Sequence, residues 1–299
     1  MQLLHLKVIL AAIDVDEASA TILQAASELA TTASARLHVV HVATSVGAAD
    51  AARQLPRGER ESTIRGLLEN AGVSFDDLSV HLPIGDPASA IRSLADWVRA
   101  DVIVLGRHRD RATAHREMGC TALRAVTSSW APCLILSRPL RLPLERVLAP
   151  VDLSETSQGA LGVALSWASA LRGAGVDAGA TGNDAVSLTA LYIDHSTELD
   201  GAPRQSQALE DALARLRHDA GAWAGVGING ALVGALDVPL AIAEYATEHQ
   251  SDLVVLGTRG LGLDDVGRLG GVSLEVARRL DAPLLLVPPA MWSTHTVER

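Results

Sequence analysis

Aromatic residues are scarce in this chain of 299 residues, which contains five Trp, two Tyr and one Phe. Because 48% of the residues are nevertheless hydrophobic, we expect a core built from Ala, Val, Leu and Ile. Cysteine is rarer still: only Cys120 and Cys133 occur, and their spacing fits neither a metal knuckle nor a redox pair. We interpret both as structural thiols in a reducing cytoplasm.

Basic residues are outnumbered, with 25 Lys and Arg against 35 Asp and Glu and a formal net charge of −10. Nucleic acids and anionic membranes bind clustered Lys and Arg, so this balance argues against either as the main partner. No stretch reaches the ~18 apolar residues of a membrane-spanning helix. The first apolar stretch contains Lys7 and stops at Asp14, which is unlike a signal peptide. We therefore expect a soluble, cytoplasmic protein.

Internal repetition is what the sequence does contain. The stretch DVIVLGRHR at 101–109 recurs as DLVVLGTRG at 252–260, an offset of 151 residues. The same offset carries LHVVHV at 37–42 onto LTALYI at 188–193. Collinear matches of this kind indicate an internal duplication.

The beginnings of the two copies match at a different offset. KVILAAIDVDEAS and RVLAPVDLSETS place Asp14 on Asp152, an offset of 138 residues. The two offsets differ by 151 − 138 = 13 residues, which indicates an insertion in the second copy. The Gly-rich stretch GAGVDAGATGNDA at 173–185 has this length and the composition of a flexible loop. We predict two domains, 1–142 and 143–299.

Short, continuously apolar runs alternate with longer helical patterns in each copy. The predicted strands lie at about 7–13, 36–42, 78–82, 101–106 and 133–137, and at about 146–151, 187–193, 230–234, 252–257 and 284–287. Helices are predicted between them, for instance around 88–100 and 239–250. Strands joined by helical crossovers predict a parallel sheet flanked by helices, and therefore two tandem Rossmann-like α/β domains of five strands each.

Glycines cluster around the end of the fourth strand of the second copy. Gly257 and Gly260 follow that strand, and Gly270 precedes the last helix. Ligands of parallel sheets bind at the carboxyl ends of the strands, and the first amides of a helix attract anions. Glycine lets the backbone approach a phosphate closely. The pattern favours a phosphate site, and two ordinary turns are the alternative.

The spacing of these three glycines is Gly, two residues, Gly, nine residues, Gly. Together with PVDLSETS, LYIDH and APLLLV, it resembles the universal stress protein family in its tandem two-domain form, over essentially the whole chain. The resemblance implies a stress-response protein that binds ATP, with or without Mg²⁺, and is not an efficient enzyme. It also implies that the fifth strands, at about 133–137 and 284–287, pair as an intramolecular pseudo-dimer, with further homodimerisation left open.

The resemblance implies that ATP lies between the end of the first strand and the glycine loop of the second domain. The residues implied in binding are Pro150, Val151, Asp152, Ile193, Gly257, Arg259, Gly260, Gly270, Gly271, Val272 and Ser273. Gly271 departs from the family, which has Ser or Thr there, so one hydroxyl contact to phosphate is missing. In the first copy Arg109 replaces the middle glycine and Cys120 the hydroxyl residue, which indicates a degenerate site.

No catalytic residue and no metal ligand is predicted. His38 and His41 lie three apart on a strand and point to opposite faces, and the chain lacks the Gly-Lys-Ser/Thr run of a P-loop. Asp264 and Asp265 could hold Mg²⁺, although two acidic residues in a turn are usually only solvated. Two alternatives to ATP binding remain: a non-nucleotide interaction module of the same fold, and a weak ATPase.

Overall fold

The computed structural model describes residues 6–14, 18–44, 56–73, 78–109, 116–117, 119–172, 186–195, 202–218, 225–258 and 269–289. By its internal contacts the chain divides into two compact units, Leu6–Pro139 and the chain from Leu140 onward. We refer to them as the first and second domains.

The first domain alternates strands with helices. Its described elements are β1 (Val8–Ala12), α1 (Ala18–Ala33), β2 (Arg36–Val40), α2 (Arg57–Asn70), β3 (Leu78–His81), α3 (Pro87–Val98), β4 (Val102–Gly106), β5 (His108–Arg109), β6 (Arg116–Glu117), α4 (Cys120–Ser128) and β7 (Cys133–Leu136). The five longer strands are parallel, in the order β3, β2, β1, β4, β7. The two-residue strands β5 and β6 pair antiparallel outside this sheet.

The second domain repeats this arrangement. Its described elements are β8 (Arg146–Val151), α5 (Glu155–Ala170), β9 (Val186–Asp194), α6 (Ala202–His218), β10 (Val226–Gly234), α7 (Val238–Glu248), β11 (Leu253–Gly257), α8 (Gly271–Arg279) and β12 (Leu284–Val287). All five strands are parallel, in the order β10, β9, β8, β11, β12. The predicted fold of two tandem α/β domains with parallel sheets is thereby confirmed. Among the described helices, none combines the length and apolar character that a membrane crossing requires.

The central strands are buried along almost their whole length, as continuous apolar runs predict. The large, fully buried side chains are mostly Leu and Ile, and Trp167 on α5 is the aromatic exception. Cys133 at the start of β7 is also buried, and burial raises the pKa of its thiol to about 12. A thiol that stays protonated at neutral pH agrees with a structural role for Cys133.

Strand β10 begins at Val226, although the sequence analysis placed its start near residue 230. Glycines within this stretch argue against a strand, because they weaken pairing and offer no side chain to pack. At Gly230 the reason for glycine is close packing: a Cβ atom there would lie 2.8 Å from Cδ1 of Leu213 on α6. The glycine allows α6 to approach the strand.

An aspartate one residue before β4 and β11 holds the start of the first strand in each domain. Oδ2 of Asp101 accepts hydrogen bonds from the backbone amides of Lys7 and Val8 at 2.7 and 2.9 Å. In the second domain, Oδ2 of Asp252 accepts from the amides of Glu145, just before β8, and of Arg146, its first residue, at 3.1 and 2.9 Å. The two domains therefore join the amino ends of their neighbouring strands in the same way.

A second aspartate caps the helix before β4. Oδ2 of Asp86 accepts from the amide of Ser89 in the first turn of α3 at 3.0 Å. Arg124 of α4 donates to both carboxylate oxygens, at 2.6 and 3.0 Å. The hydrogen bonds from Arg124 and Ser89 lower the pKa of Asp86 from 3.8 to about 2. The carboxylate thus ties α3 to α4 as long as it is ionised.

We expect the stability of the first domain to fall as the pH drops from about 4 toward 2. A carboxyl group whose pKa is lower in the folded state stabilises the fold above its unfolded pKa, and protonation removes that contribution as the pH falls through the folded pKa of about 2. Urea unfolding of the wild type and of Asp86→Asn at several pH values checks this. The difference between the two proteins should shrink over this window, and a constant difference would contradict the assignment.

Candidate functional site

The carboxyl edge of the second sheet brings two predicted site segments together. Strands β8 and β11 are parallel neighbours, so their last residues, Val151 and Gly257, lie at the same edge. Asp152 follows β8 directly, after Pro150 and Val151 within the strand. Helix α8 begins at Gly271, on the segment that leaves β11. The edge therefore combines a carboxylate with the start of a helix.

Asp152 is held in a fixed orientation by the turn that starts α5. Its Oδ1 accepts from the amide and the hydroxyl of Ser154, at 3.0 and 2.5 Å, and its own amide donates to Oγ of Ser157 at 3.3 Å. Ser154 is the N-cap of α5. Leu153 between them has a φ of 63°, a left-handed conformation that is uncommon for a leucine. Strain of this kind is concentrated at functional sites.

The end of β9 lies beside Asp152. Val151 pairs with Tyr192, and Ile193 and Asp194 after it are both buried. Burial raises the pKa of Tyr192, and the negative charges of Asp194 and Asp152 raise it further. Ile193 was predicted from the sequence, whereas its neighbours Tyr192 and Asp194 in the stretch LYIDH were not. Their position at the end of a predicted strand was the available signal.

Backbone hydrogen bonds hold Thr258 and Gly270, the residues on either side of the loop between β11 and α8. The amide of Gly270 donates to the carbonyl of Thr258 at 2.8 Å, and the amide of Thr258 donates to that of Val287 at 2.9 Å. Oγ of Ser273 donates to the carbonyl of Gly257 at 2.8 Å and is buried. This hydrogen bond joins the first turn of α8 to the end of β11, and the role in ligand binding that the resemblance implies for Ser273 stays a prediction. Gly270 has a φ of −58°, so it is not a left-handed position.

The first turn of α8 has no side-chain cap. Its N-cap is Gly270, which has no side chain to accept from the turn's amides. By contrast, Ser154 caps α5 and Asp237 caps α7 with side-chain hydrogen bonds. A Cβ atom built on Gly271 would meet no heavy atom within 4 Å among those the structure describes. Among the described residues the start of α8 is therefore uncapped, and its first amides have no intrahelical acceptor.

Four residues that the sequence singles out in the glycine loop are not among the described residues. Arg259, Gly260, Asp264 and Asp265 lie outside the described residues. The roles assigned to Arg259 and Gly260 by resemblance therefore stay predictions, as does the solvated state of the two aspartates.

The corresponding edge of the first domain differs in its side chains. Gly119, the N-cap of α4, has nearly the same backbone angles as Gly270 and also offers no side-chain cap. Buried Arg107 follows β4, where the second domain has Thr258, and Arg109 lies in β5. At Gly106 a Cβ atom would lie 2.6 Å from Cδ1 of Ile22 on α1. The last helix of the first domain thus also begins without a side-chain cap, but the residue after β4 is a buried arginine instead of a threonine.

The two histidines named in the sequence analysis have separate partners. Nδ1 of His38 lies 3.0 Å from Nε2 of His81 on the neighbouring strand β3, and burial lowers the pKa of both rings. Nδ1 of His41 lies 3.2 Å from the carbonyl oxygen of Ile13. Within the described ranges no three His, Cys, Asp or Glu side chains form a group that could hold a metal ion.

The chain belongs to the universal stress protein family. The family model matches it twice, over residues 5–137 and 143–288. The two matches correspond to the two α/β domains, so the protein is a tandem member of the family. No curated protein matches the chain.

Solved structures share this fold along nearly the whole chain. A universal stress protein from Archaeoglobus fulgidus is 18% identical, covers 94% of this chain and 98% of its own, and has a TM-score of 0.66. A functionally unknown protein from Pseudomonas aeruginosa is 15% identical, covers 97% of this chain and 95% of its own, and has a TM-score of 0.68. Identities this low establish the fold and leave the ligand open.

Proposed function

We propose that this universal stress protein binds one adenine nucleotide, ATP, at the carboxyl edge of its second domain. In this proposal it is a cytoplasmic binding or signalling module of the stress response and turns ATP over very slowly. The nucleotide, with or without Mg²⁺, is the main partner, and neither nucleic acid nor a membrane is required. The chain acts as an internal pseudo-dimer or forms a further homodimer.

The observation that carries the proposal is the open start of α8 beside a fixed carboxylate. The amides of Gly271, Val272 and Ser273 have no side-chain cap, and the helix dipole adds partial positive charge at the same place. A chain with a net charge of −10 needs such local donors to bind a polyphosphate. The start of α8 supports a role in holding the phosphates.

Asp152 is suited to the opposite end of the nucleotide. Ser154 orients the carboxylate through two hydrogen bonds, so the group is preorganised before a ligand arrives. Carboxylates accept from ribose hydroxyls, and an adenine amino group is a donor of the same kind. Ile193 and Val151 are buried at the neighbouring strand ends and offer apolar contact to a base. The edge thus has separate groups for the base or ribose and for the phosphates.

We expect one nucleotide per chain. The first domain has Arg109 where the second has Gly260, so only the second copy keeps all three spaced glycines. Mass spectrometry of material released from denatured protein should find an adenine nucleotide, and calorimetry on nucleotide-free protein should give one ATP site. Gly260→Asp places a carboxylate beside the phosphates and should abolish ATP binding. Two equivalent sites, or unchanged binding in this variant, would refute the assignment.

We also expect ATP turnover far below ordinary enzyme rates of ~1–10³ s⁻¹. Phosphoryl transfer needs a positioned nucleophile and charge stabilisation on the leaving group, and the chain has no P-loop lysine to follow that charge. A steady-state assay on purified protein measures the rate. Asp264→Asn and Asp265→Asn are the controls: turnover near one per second that collapses in either variant would identify an enzyme.

One observation favours the second candidate, an interaction module that has lost its nucleotide. The position where the family has Ser or Thr is Gly271, and the proton of the Ser273 hydroxyl is given to the carbonyl of Gly257. Two hydroxyl donors are thus missing from the start of α8. Absence of any nucleotide in freshly purified protein, together with no ATP binding by calorimetry, would decide for this candidate.

A further inference from the structure

Arg60 occupies a position on α2 that is normally apolar. The buried face of this helix consists of Arg60, Ile64 and Leu68, spaced four residues apart on one stripe. Ile64 and Leu68 are fully buried, and Arg60 is only 6% exposed. Arginine is almost never buried to this extent unless its charge is paired. The first domain therefore carries a cation within its apolar packing.

The guanidinium of Arg60 has unused donors. Its Nε and Nη1 atoms are both buried, and neither meets a hydrogen-bond acceptor in the described part of the chain. Nε carries one N–H and Nη1 carries two, and a guanidinium has five N–H donors and no acceptor. Burying a charge without a partner is strongly unfavourable. A buried polar group without a partner in a native fold points to an ion or water that completes it.

The fold places Arg60 toward the carboxyl edge of the first sheet. In the parallel β2–α2–β3 unit the helix runs back against the strands, so its first turn lies on the side where β2 ends. Side chains on a helix lean toward its N-terminus, so Arg60 leans over that first turn. The N-cap of α2 is Pro56, which makes no side-chain cap hydrogen bond. Helix amides and the guanidinium therefore offer donors in one region.

We propose that the first domain binds a small oxyanion here, inorganic phosphate or a phosphate monoester, with Arg60 as its buried cation. Such an anion supplies several acceptor oxygens and negative charge to a guanidinium whose planar donors suit phosphate. The helix N-terminus adds its partial positive charge. The site is separate from the nucleotide site proposed for the second domain, and it does not depend on that proposal.

The test uses the full-length chain carrying Gly260→Asp, so that phosphate binding in the second domain is suppressed. Calorimetry and thermal unfolding are measured with inorganic phosphate against chloride at equal ionic strength. We expect one saturable phosphate site and a rise in the unfolding temperature. Arg60→Met should weaken phosphate binding at least tenfold, because a buried charged hydrogen bond is lost. Arg57→Met, an exposed arginine in the same turn, should change it less than threefold.

Three results would overturn the proposal: no phosphate site in the parent protein, equal phosphate binding after Arg60→Met, or an equal loss after Arg57→Met. If Arg60→Met does not fold, Arg60→Lys keeps the charge but loses the planar donors and should weaken binding. In that case ³¹P line broadening on the parent protein still tests for the site. Competition by AMP assigns it to a phosphate monoester, and binding of phosphate without competition assigns it to the free anion.

Discussion

Replacing Asp252 by alanine is expected to lower the free energy of unfolding of the second domain by about 3–5 kcal/mol. Oδ2 of Asp252 accepts from the backbone amides of Glu145 and Arg146, and the residue is only 4% exposed. Each hydrogen bond to a charged group contributes about 1.5–3 kcal/mol, and the substitution leaves two amides without their acceptor. Urea unfolding measures the loss. Hydrogen exchange should locate it in β8 and β11.

The first domain contains the matched control. Asp101 makes the same two hydrogen bonds, but its side chain is partly exposed, whereas Asp252 is buried. Asp101→Ala should therefore cost less, about 1–3 kcal/mol, because water replaces part of what is lost. Asp252→Asn keeps an acceptor oxygen and should also cost less than the alanine variant. A loss below about 1 kcal/mol for Asp252→Ala would show that the two hydrogen bonds contribute little.

The architecture could be predicted because its main determinants are local in sequence. Central strands such as β4 and β11 are short apolar runs, and the helices before them begin at recognisable caps, Asp86 and Asp237. Repetition at an offset of 151 residues, apart from the first strand, then predicted the second domain from the first. The start of β10 was missed because Gly227 interrupts the apolar pattern before residue 230, and the contact that continues the strand is its pairing with β9, on another part of the chain. A single stretch of sequence does not show such a contact.

Sequence motifs predict only part of the candidate site. Asp152, Gly257 and Gly270 follow from strand ends and glycine spacing. The hydrogen bond from Ser273 to the carbonyl of Gly257 depends on how α8 meets β11, which spacing does not reveal. Arg60 was missed for the same reason: a charged residue in a polar helical stretch gives no sign that it faces inward.

Under the two proposals, the two domains of this duplicated fold bind different ligands. Both keep an uncapped glycine at the start of their last helix, so both retain the positive end of a helix dipole. Near it, the second domain has Thr258 where the first domain has the buried Arg107. The first domain also buries Arg60, the cation of its proposed oxyanion site. In these proposals, the side chains that differ between the two copies determine which ligand each domain binds.

Replacing Gly271 by serine is expected to strengthen ATP binding by about 10- to 100-fold. The substitution restores the hydroxyl that the family has at this position, on the first residue of α8. A Cβ atom there meets no heavy atom within 4 Å among those described, so the side chain fits without displacing a neighbour. A hydrogen bond to a charged group contributes about 1.5–3 kcal/mol, and each 1.4 kcal/mol is a factor of about ten in affinity. Calorimetry on nucleotide-free protein measures the change.

Two comparisons separate the hydroxyl from other effects of the substitution. Gly271→Ala adds the Cβ atom and the higher helix propensity without a donor, so its ATP affinity should stay within about threefold of the wild type. Adenosine lacks phosphates, and its affinity should not change in Gly271→Ser, because the new hydroxyl faces the phosphate end of the site. An equal gain in the alanine variant would assign the effect to the helix. An equal gain for adenosine would mean that the phosphates do not lie at the start of α8, and the proposed orientation of the nucleotide would then be wrong.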